Sequence, residues 1–140
     1  MSQKYEFSFP VKGDNFDDAG KASIQIKKRL KGLGITGDVL RRTAIAIYES
    51  EVNIISYARQ GNINIRVTDD NISINIRDSG PGIADIKQAM QQGYSTANDR
   101  IRKMGFGAGM GLFNIKNCSD DFEILSKANK GTLLKILINR

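Results

Sequence analysis

A carboxylate and an amide, Glu49 and Asn53, stand four residues apart in a segment with helical periodicity. Because a helix turns once every 3.6 residues, these two side chains lie about 40° apart on one face. A buried carboxylate is costly unless it is paired or used in chemistry. The pair is suited to a general base beside an amide oxygen that ligates Mg²⁺. The alternative is that Glu49 simply reaches solvent or a lysine.

A second group, with the sequence DSGPG, follows a predicted strand and begins at Asp78. A Gly-Pro turn explains the glycines but not a carboxylate at the end of a strand. Asp78 in that place can accept a hydrogen bond from an exocyclic amine such as adenine N6. Gly80 and Gly82 would let a ring approach the backbone closely.

The third group alternates glycine with other residues over 105–112 and leads into a predicted helix. Free N–H groups at a helix N-terminus favour phosphate, whereas a flexible hinge is the alternative interpretation. The run is neither a Walker loop nor a dinucleotide-binding fingerprint, because neither glycine pattern occurs in it. The fourth group is Gly131-Thr132 at the start of a late strand, which a hairpin turn alone would also explain.

The elements that must position these groups follow from apolar periodicity. Alternating residues predict strands at 5–9, 63–67, 72–76, 122–125 and 132–138. Helical spacing predicts helices at 16–33, capped by Asp14 or Asn15, and at 36–58, 83–90 and 109–117. The second of these helices is apolar around most of its circumference, which is typical of a buried helix. Grouped helices and hairpins predict an α+β fold, in which a mainly antiparallel sheet carries helices on one face.

Composition excludes several classes of function. The chain has 140 residues, which predicts one domain, 1–140, and it contains no histidine. A Ser-His-Asp triad and a phosphoaccepting histidine are therefore excluded. The single cysteine, Cys118, excludes an internal disulfide and a zinc cluster. No apolar run approaches a membrane span and the N-terminus lacks a signal-peptide core, so a cytoplasmic protein without membrane contact is expected.

The net charge of +6 is explained either by solubility or by an acidic or phosphorylated partner. The densest basic groups, at 27–31 and 100–103, are short and are not interleaved with aromatic residues. Nucleic acid is therefore not expected as a partner.

In their order along the chain, the four groups resemble the motifs of the GHKL ATP-binding superfamily, which includes histidine kinases, type II topoisomerases and mismatch-repair ATPases. The N box, G1 box, G2 box and G3 element are matched in turn by Glu49-x-x-x-Asn53, Asp78-x-Gly80-x-Gly82, Gly107-x-Gly109-x-Gly111 and Gly131-Thr132. Within the superfamily, segments 49–58, 78–86 and 93–96 look most like the small anti-sigma regulatory serine/threonine kinases, of the type of the stressosome switch kinase.

This resemblance implies a two-layer α/β sandwich of the GHKL type with a mixed, mainly antiparallel sheet, and ATP and Mg²⁺ as cofactors. It implies that Asp78 and Thr132 bind adenine, and that Asn53 holds the metal. The remaining nucleotide contacts would come from Gly80, Gly82, Gly107, Gly109 and Gly111. A flexible lid at about 91–107 would close over the phosphates, with Arg102 or Lys103 offsetting their developing charge. Glu49 would accept the proton of a partner's Ser or Thr hydroxyl.

The function implied is an ATP-dependent serine/threonine protein kinase of a bacterial partner-switching pathway. It would phosphorylate a STAS-domain antagonist protein and regulate a sigma factor or a downstream output enzyme. The alternative is a non-catalytic, ATP-gated binding module in which phosphotransfer is vestigial, and the carboxylate of Glu49 argues against it. A histidine-kinase fragment is disfavoured because the chain has no histidine.

Overall fold

The computed structural model describes residues 4–80, 111–127 and 131–140 of the protein. Five strands in these residues form one sheet. They are β1 (Tyr5–Lys12), β2 (Gln60–Val67), β3 (Asn71–Asp78), β4 (Asp121–Lys127) and β5 (Gly131–Asn139). Their order in the sheet is β1-β2-β3-β5-β4, and each neighbouring pair is antiparallel. The predicted α+β fold with a mainly antiparallel sheet is confirmed.

Isoleucine dominates the face of the sheet that is buried. In β2 and β3 the buried side chains are those of Ile63, Ile65, Val67, Ile72, Ile74 and Ile76, and each is at most 2% exposed. β-branched side chains pack well on a pleated surface, and alternate positions of these strands carry asparagine and arginine toward solvent. A slip of one residue would move the whole isoleucine set into water, so the burial pattern fixes the strand register.

Three helices cover the buried face in the described residues: α1 (Lys21–Gly32), α2 (Gly37–Tyr57) and α3 (Gly111–Cys118). The central one is α2, which packs against both other helices and against the sheet. Its buried apolar residues include Leu40, Ala46, Ile47, Ile54 and Ile55. This placement explains why its sequence is apolar around most of the helix, and the predicted helix at 36–58 is confirmed.

The start of α1 differs from the prediction of one helix over 16–33. Phe16–Asp18 form only a short 3-10 turn, and α1 begins after Gly20, whose φ of 94° is left-handed. Asn15 precedes this turn but makes no side-chain capping bond. A glycine in the left-handed region interrupts the helical backbone, and α1 receives its cap from a different part of the chain.

Two further elements refine the predicted boundaries. Strand β1 continues through Pro10 to Lys12, which is possible because β1 is an edge strand and the missing N–H removes little from the ladder. Strands β4 and β5 pair antiparallel, as the sequence predicts. The predicted helix at 83–90 and the predicted lid at 91–107 lie outside the described residues.

Candidate functional site

Glu49 and Asn53 lie half-buried on the face of α2 that contacts α3. The side-chain amide of Asn114 donates a hydrogen bond from Nδ2 to Glu49 Oε1 at 3.2 Å. The side chain of Asn53 lies against Gly111, where an added Cβ would stand 2.9 Å from Asn53 Oδ1. The two candidate residues therefore share one helical face, as their spacing predicts, and both meet the beginning of α3.

The lack of a side chain at Gly111 is what permits this approach. A Cβ contact below 3.0 Å is essentially never seen, so any other residue would displace Asn53 or α3. The predicted phosphate-binding backbone and the predicted metal ligand are thus in van der Waals contact. An amide oxygen held beside the beginning of a helix suits a metal-bound phosphate.

Asp78 ends β3 as a half-buried carboxylate. Burial raises the pKa of Asp78 above its ordinary value, while hydrogen bonds with the backbone of Gly80 and Thr132 act in the opposite direction. The Gly80 N–H donates to Asp78 Oδ1 at 3.0 Å. A carboxylate that is partly desolvated in this way gains from any further hydrogen-bond donor that a ligand brings.

Thr132 faces Asp78 across the pairing of β3 with β5 and is 9% exposed. Its Oγ1 lies 3.2 Å from Ser126 Oγ on the neighbouring strand. Gly131, which precedes it, has φ +99°, and a Cβ there would stand 2.1 Å from the carbonyl oxygen of Asp78. Only glycine lets β5 begin so close to the end of β3, and this closeness brings Thr132 and Asp78 together.

A cavity of about 650 Å³ opens at this end of the sheet. Asp78, Ser79, Ser126, Thr132 and Leu133 are among its lining residues. The volume is within the usual range for small-molecule sites, and the wall combines an apolar surface with a few polar groups. A ligand that donates hydrogen bonds and carries a flat apolar ring fits this lining.

The loop after β3 joins this cavity to α2. The N–H of Arg59 donates to the carbonyl of Ser79 at 3.3 Å, and the N–H of Ser79 donates to the carbonyl of Gln60 at 3.0 Å. An added Cβ at Gly80 would lie 3.3 Å from the carbonyl oxygen of Tyr57, the last residue of α2. One helix therefore carries Glu49 and Asn53 and also supports the segment that holds Asp78.

Glu51, two residues from Glu49 on α2, contacts α1 instead of α3. It is 2% exposed, and its carboxylate accepts hydrogen bonds from the N–H groups of Gly20, Ala22 and Ser23 at 3.1–3.2 Å. The Ser23 hydroxyl donates a further one at 2.5 Å. Glu51 is thus the cap of α1, supplied by α2, and its charge favours the helix N-terminus.

Asn114 and Ser126 are two more site residues that the sequence prediction missed. The spacing of Asn114 from Gly111 would have placed them on one face of the helix, since residues three apart are neighbours. For Ser126, the signal was its position opposite Thr132 in the closing strand pair. Gly82, Gly107, Gly109, Arg102 and Lys103 lie outside the described residues, so their roles stay predictions.

The donor set agrees with an adenine nucleotide and Mg²⁺. Asp78 offers a partly desolvated acceptor at the cavity, and Asn53 offers one amide oxygen. Within the described ranges no group of three or more His, Cys, Asp and Glu residues gathers to hold a metal. A magnesium ion at Asn53 would therefore take phosphate and water oxygens as its other ligands, as this metal commonly does.

Residues 38–139 match the family model described as histidine kinase-, DNA gyrase B-, and HSP90-like ATPase. The chain is similar to an anti-sigma F factor of Heyndrickxia coagulans, with 28% identity over 97% of this chain and 92% of that protein. It is also similar to serine/threonine-protein kinase RsbT of Bacillus subtilis (strain 168), with 35% identity over 69% of each chain. Among the helices in the described part of the chain, none is long and apolar enough to span a membrane.

Proposed function

Since the chain belongs to the family of histidine kinase-, DNA gyrase B- and HSP90-like ATPases, we propose that it is an ATP-dependent serine/threonine protein kinase of a bacterial partner-switching pathway. Its protein substrate is a STAS-domain antagonist, and its output is a sigma factor or another enzyme. The similarity to proteins named anti-sigma F factor and serine/threonine-protein kinase supports this choice within the family. A cytoplasmic location agrees with such a role.

One observation carries the catalytic part of the proposal. Glu49 stands one helical turn from Asn53 on the face of α2 that meets the beginning of α3. A carboxylate so close to a metal-ligating amide is placed to receive a proton next to the phosphates. A protein that only bound nucleotide would need no proton acceptor at that point.

The proposal gives each candidate residue a role. Asp78 accepts a hydrogen bond from the adenine amine, with the hydroxyl of Thr132 beside it, and Gly80 and Gly82 admit the ring. Asn53 would hold Mg²⁺, and Gly107, Gly109 and Gly111 would offer their N–H groups to the phosphates. The bound nucleotide supplies the γ-phosphoryl group.

Glu49 acts on the protein substrate in this scheme. It takes the proton of the Ser or Thr hydroxyl as the hydroxyl oxygen bonds to phosphorus and ADP leaves. Arg102 or Lys103, in the predicted lid, offsets the charge that develops on the phosphates.

Transfer of labelled phosphate from ATP to a STAS-domain protein tests the proposal. The full chain is incubated with ATP labelled at the γ-phosphate, Mg²⁺ and the candidate protein. Glu49→Gln should keep its affinity for ATP and lose transfer by about 10²–10⁴-fold, the usual contribution of a positioned base. Glu123→Gln, at an exposed carboxylate of β4, is the matched control and should transfer at the wild-type rate.

Two outcomes would contradict it. A Glu49→Gln variant that phosphorylates its partner at the wild-type rate removes Glu49 from the chemistry. A wild-type chain that binds the partner only with ATP present, without transferring label, identifies the non-catalytic binding module instead. The non-catalytic binding module remains an outcome of this experiment because the chain is similar to proteins named anti-sigma F factor, and that name does not specify phosphotransfer.

A further inference from the structure

Helix α3 contacts the candidate catalytic face of α2 along its whole length. At its N-terminus Gly111 lies against Asn53, and one turn later Asn114 hydrogen bonds to Glu49. Because higher residue numbers of α3 meet lower numbers of α2, the two helices run antiparallel. The first turn of α3 therefore meets the candidate site.

The far end of α3 is fastened to α2 by an arginine. Arg42 donates from Nη1 to the carbonyl of Cys118 at 3.2 Å and to Asp120 Oδ2 at 3.1 Å. Its guanidinium also donates from Nε to Asp38 Oδ2 at 2.9 Å, and its side chain is only 20% exposed. These hydrogen bonds fix the position of α3 along the axis of α2. The placement of Asn114 opposite Glu49 therefore depends on more than the single bond between them.

The orientation of the Asn114 amide follows from its neighbour. A carboxylate oxygen accepts hydrogen bonds, so the group of Asn114 that faces Glu49 Oε1 is the Nδ2 of the amide. The amide is neutral, so it orients the carboxylate without cancelling its charge. A lysine in this place would form an ion pair and compete with the incoming proton.

We propose that Asn114 is a positioning residue for Glu49, an inference that rests on the proposed kinase function. By holding Oε1, the amide limits rotation of the carboxylate and leaves Oε2 to meet the hydroxyl of the protein substrate. The proton of that hydroxyl passes to Glu49, and Asn114 takes part in no bond that forms or breaks. Fixing a base in one orientation reduces the entropy lost on reaching the transition state.

Asn114→Ala tests this role in two backgrounds. In the wild-type chain it should lower kcat for phosphotransfer by about 10- to 100-fold, as expected for losing one hydrogen bond to a charged group, and leave ATP affinity unchanged. In the Glu49→Gln background it should change the residual rate by less than about twofold, because nothing is left to orient. Asn117→Ala, at an exposed asparagine of the same helix, is the matched control and should behave as wild type.

A second variant, Asn114→Asp, keeps the size of the side chain and places a like charge beside Glu49. Its kcat should fall at least as far as that of Asn114→Ala. A cooperative thermal unfolding transition should show that the variant is still folded. Equal losses of rate in both backgrounds, a wild-type rate, or unfolding of both variants would overturn the inference alone. A wild-type chain that transfers no phosphate would overturn the proposed function, and this inference with it.

Discussion

The carboxylate of Asp78 is expected to lower the stability of the fold while it favours nucleotide binding. Burial raises its pKa in the folded protein, so the folded state disfavours the charged form relative to the unfolded chain. The native protein therefore binds more protons than the unfolded one between the ordinary pKa and the raised one. As pH rises through that window, this carboxyl lowers the free energy of unfolding, and the loss persists at neutral pH.

Asp78→Asn is expected to separate the two effects. The variant should bind adenine nucleotide more than tenfold more weakly, since a hydrogen bond to a charged group contributes about 1.5–3 kcal/mol. Its free energy of unfolding at pH 7 should equal or exceed that of the wild type, and the advantage should shrink as pH falls below the ordinary range for aspartate. Urea unfolding from pH 3 to pH 7, with nucleotide titration at pH 7, measures both.

The matched control is Asp69→Asn in the exposed turn between β2 and β3, which should change neither quantity. An Asp78→Asn variant that binds ATP normally would contradict the adenine assignment. If Asp78→Asn were less stable than the wild type at pH 7 but equally stable at pH 3, the ionised carboxylate would be shown to stabilise the fold.

At the scale of elements, sequence predicts what is local and misses what comes from a distant part of the chain. Strands β2 and β3 are predictable because one buried face imposes an alternation of apolar residues with period two. The beginning of α1 cannot be predicted in this way, because its cap, Glu51, belongs to α2 and lies 28 residues from Ser23. Asn114 was missed for the same reason, since its partner Glu49 is 65 residues away.

Glu51→Gln is therefore expected to act on stability and not on chemistry. Glutamine has one acceptor oxygen, so its amino group would face either the N–H of Ser23 or the N–H groups of Gly20 and Ala22. Leaving a buried donor unsatisfied costs about 1–3 kcal/mol, so the free energy of unfolding should fall by at least that amount. Urea unfolding at pH 7 measures it.

The comparison with Glu49→Gln makes this test sharp, because the same substitution is made two residues away on the same helix. Glu49 is half-buried and accepts a bond from a neutral side chain, so its replacement should change stability much less. A stable Glu51→Gln variant that has lost phosphotransfer would exchange the roles of the two glutamates.

At the scale of the whole molecule, the candidate site is assembled from segments far apart in sequence. Helix α2 and the beginning of α3 contribute Glu49, Asn53 and Gly111, whereas the end of β3 and the beginning of β5 line the cavity. The resemblance of the motifs to the GHKL superfamily implied that these segments share one site, whereas the contacts of Asn114, Ser126 and Glu51 required the packed structure. A ligand that bridges such segments binds the folded chain only, and so it must stabilise the fold.

ADP with Mg²⁺ is therefore expected to raise the free energy of unfolding by about 2.7 kcal/mol when its concentration is 100 times the Kd. Thermal unfolding with and without ligand measures the shift. GDP should give a much smaller one, because guanine presents a carbonyl oxygen where adenine presents an amine, and the carboxylate of Asp78 repels an acceptor. Asp78→Asn should lose most of the response to ADP, whereas Asp69→Asn should keep it. An equal response to ADP and GDP, or a full response in Asp78→Asn, would place the adenine away from the end of β3.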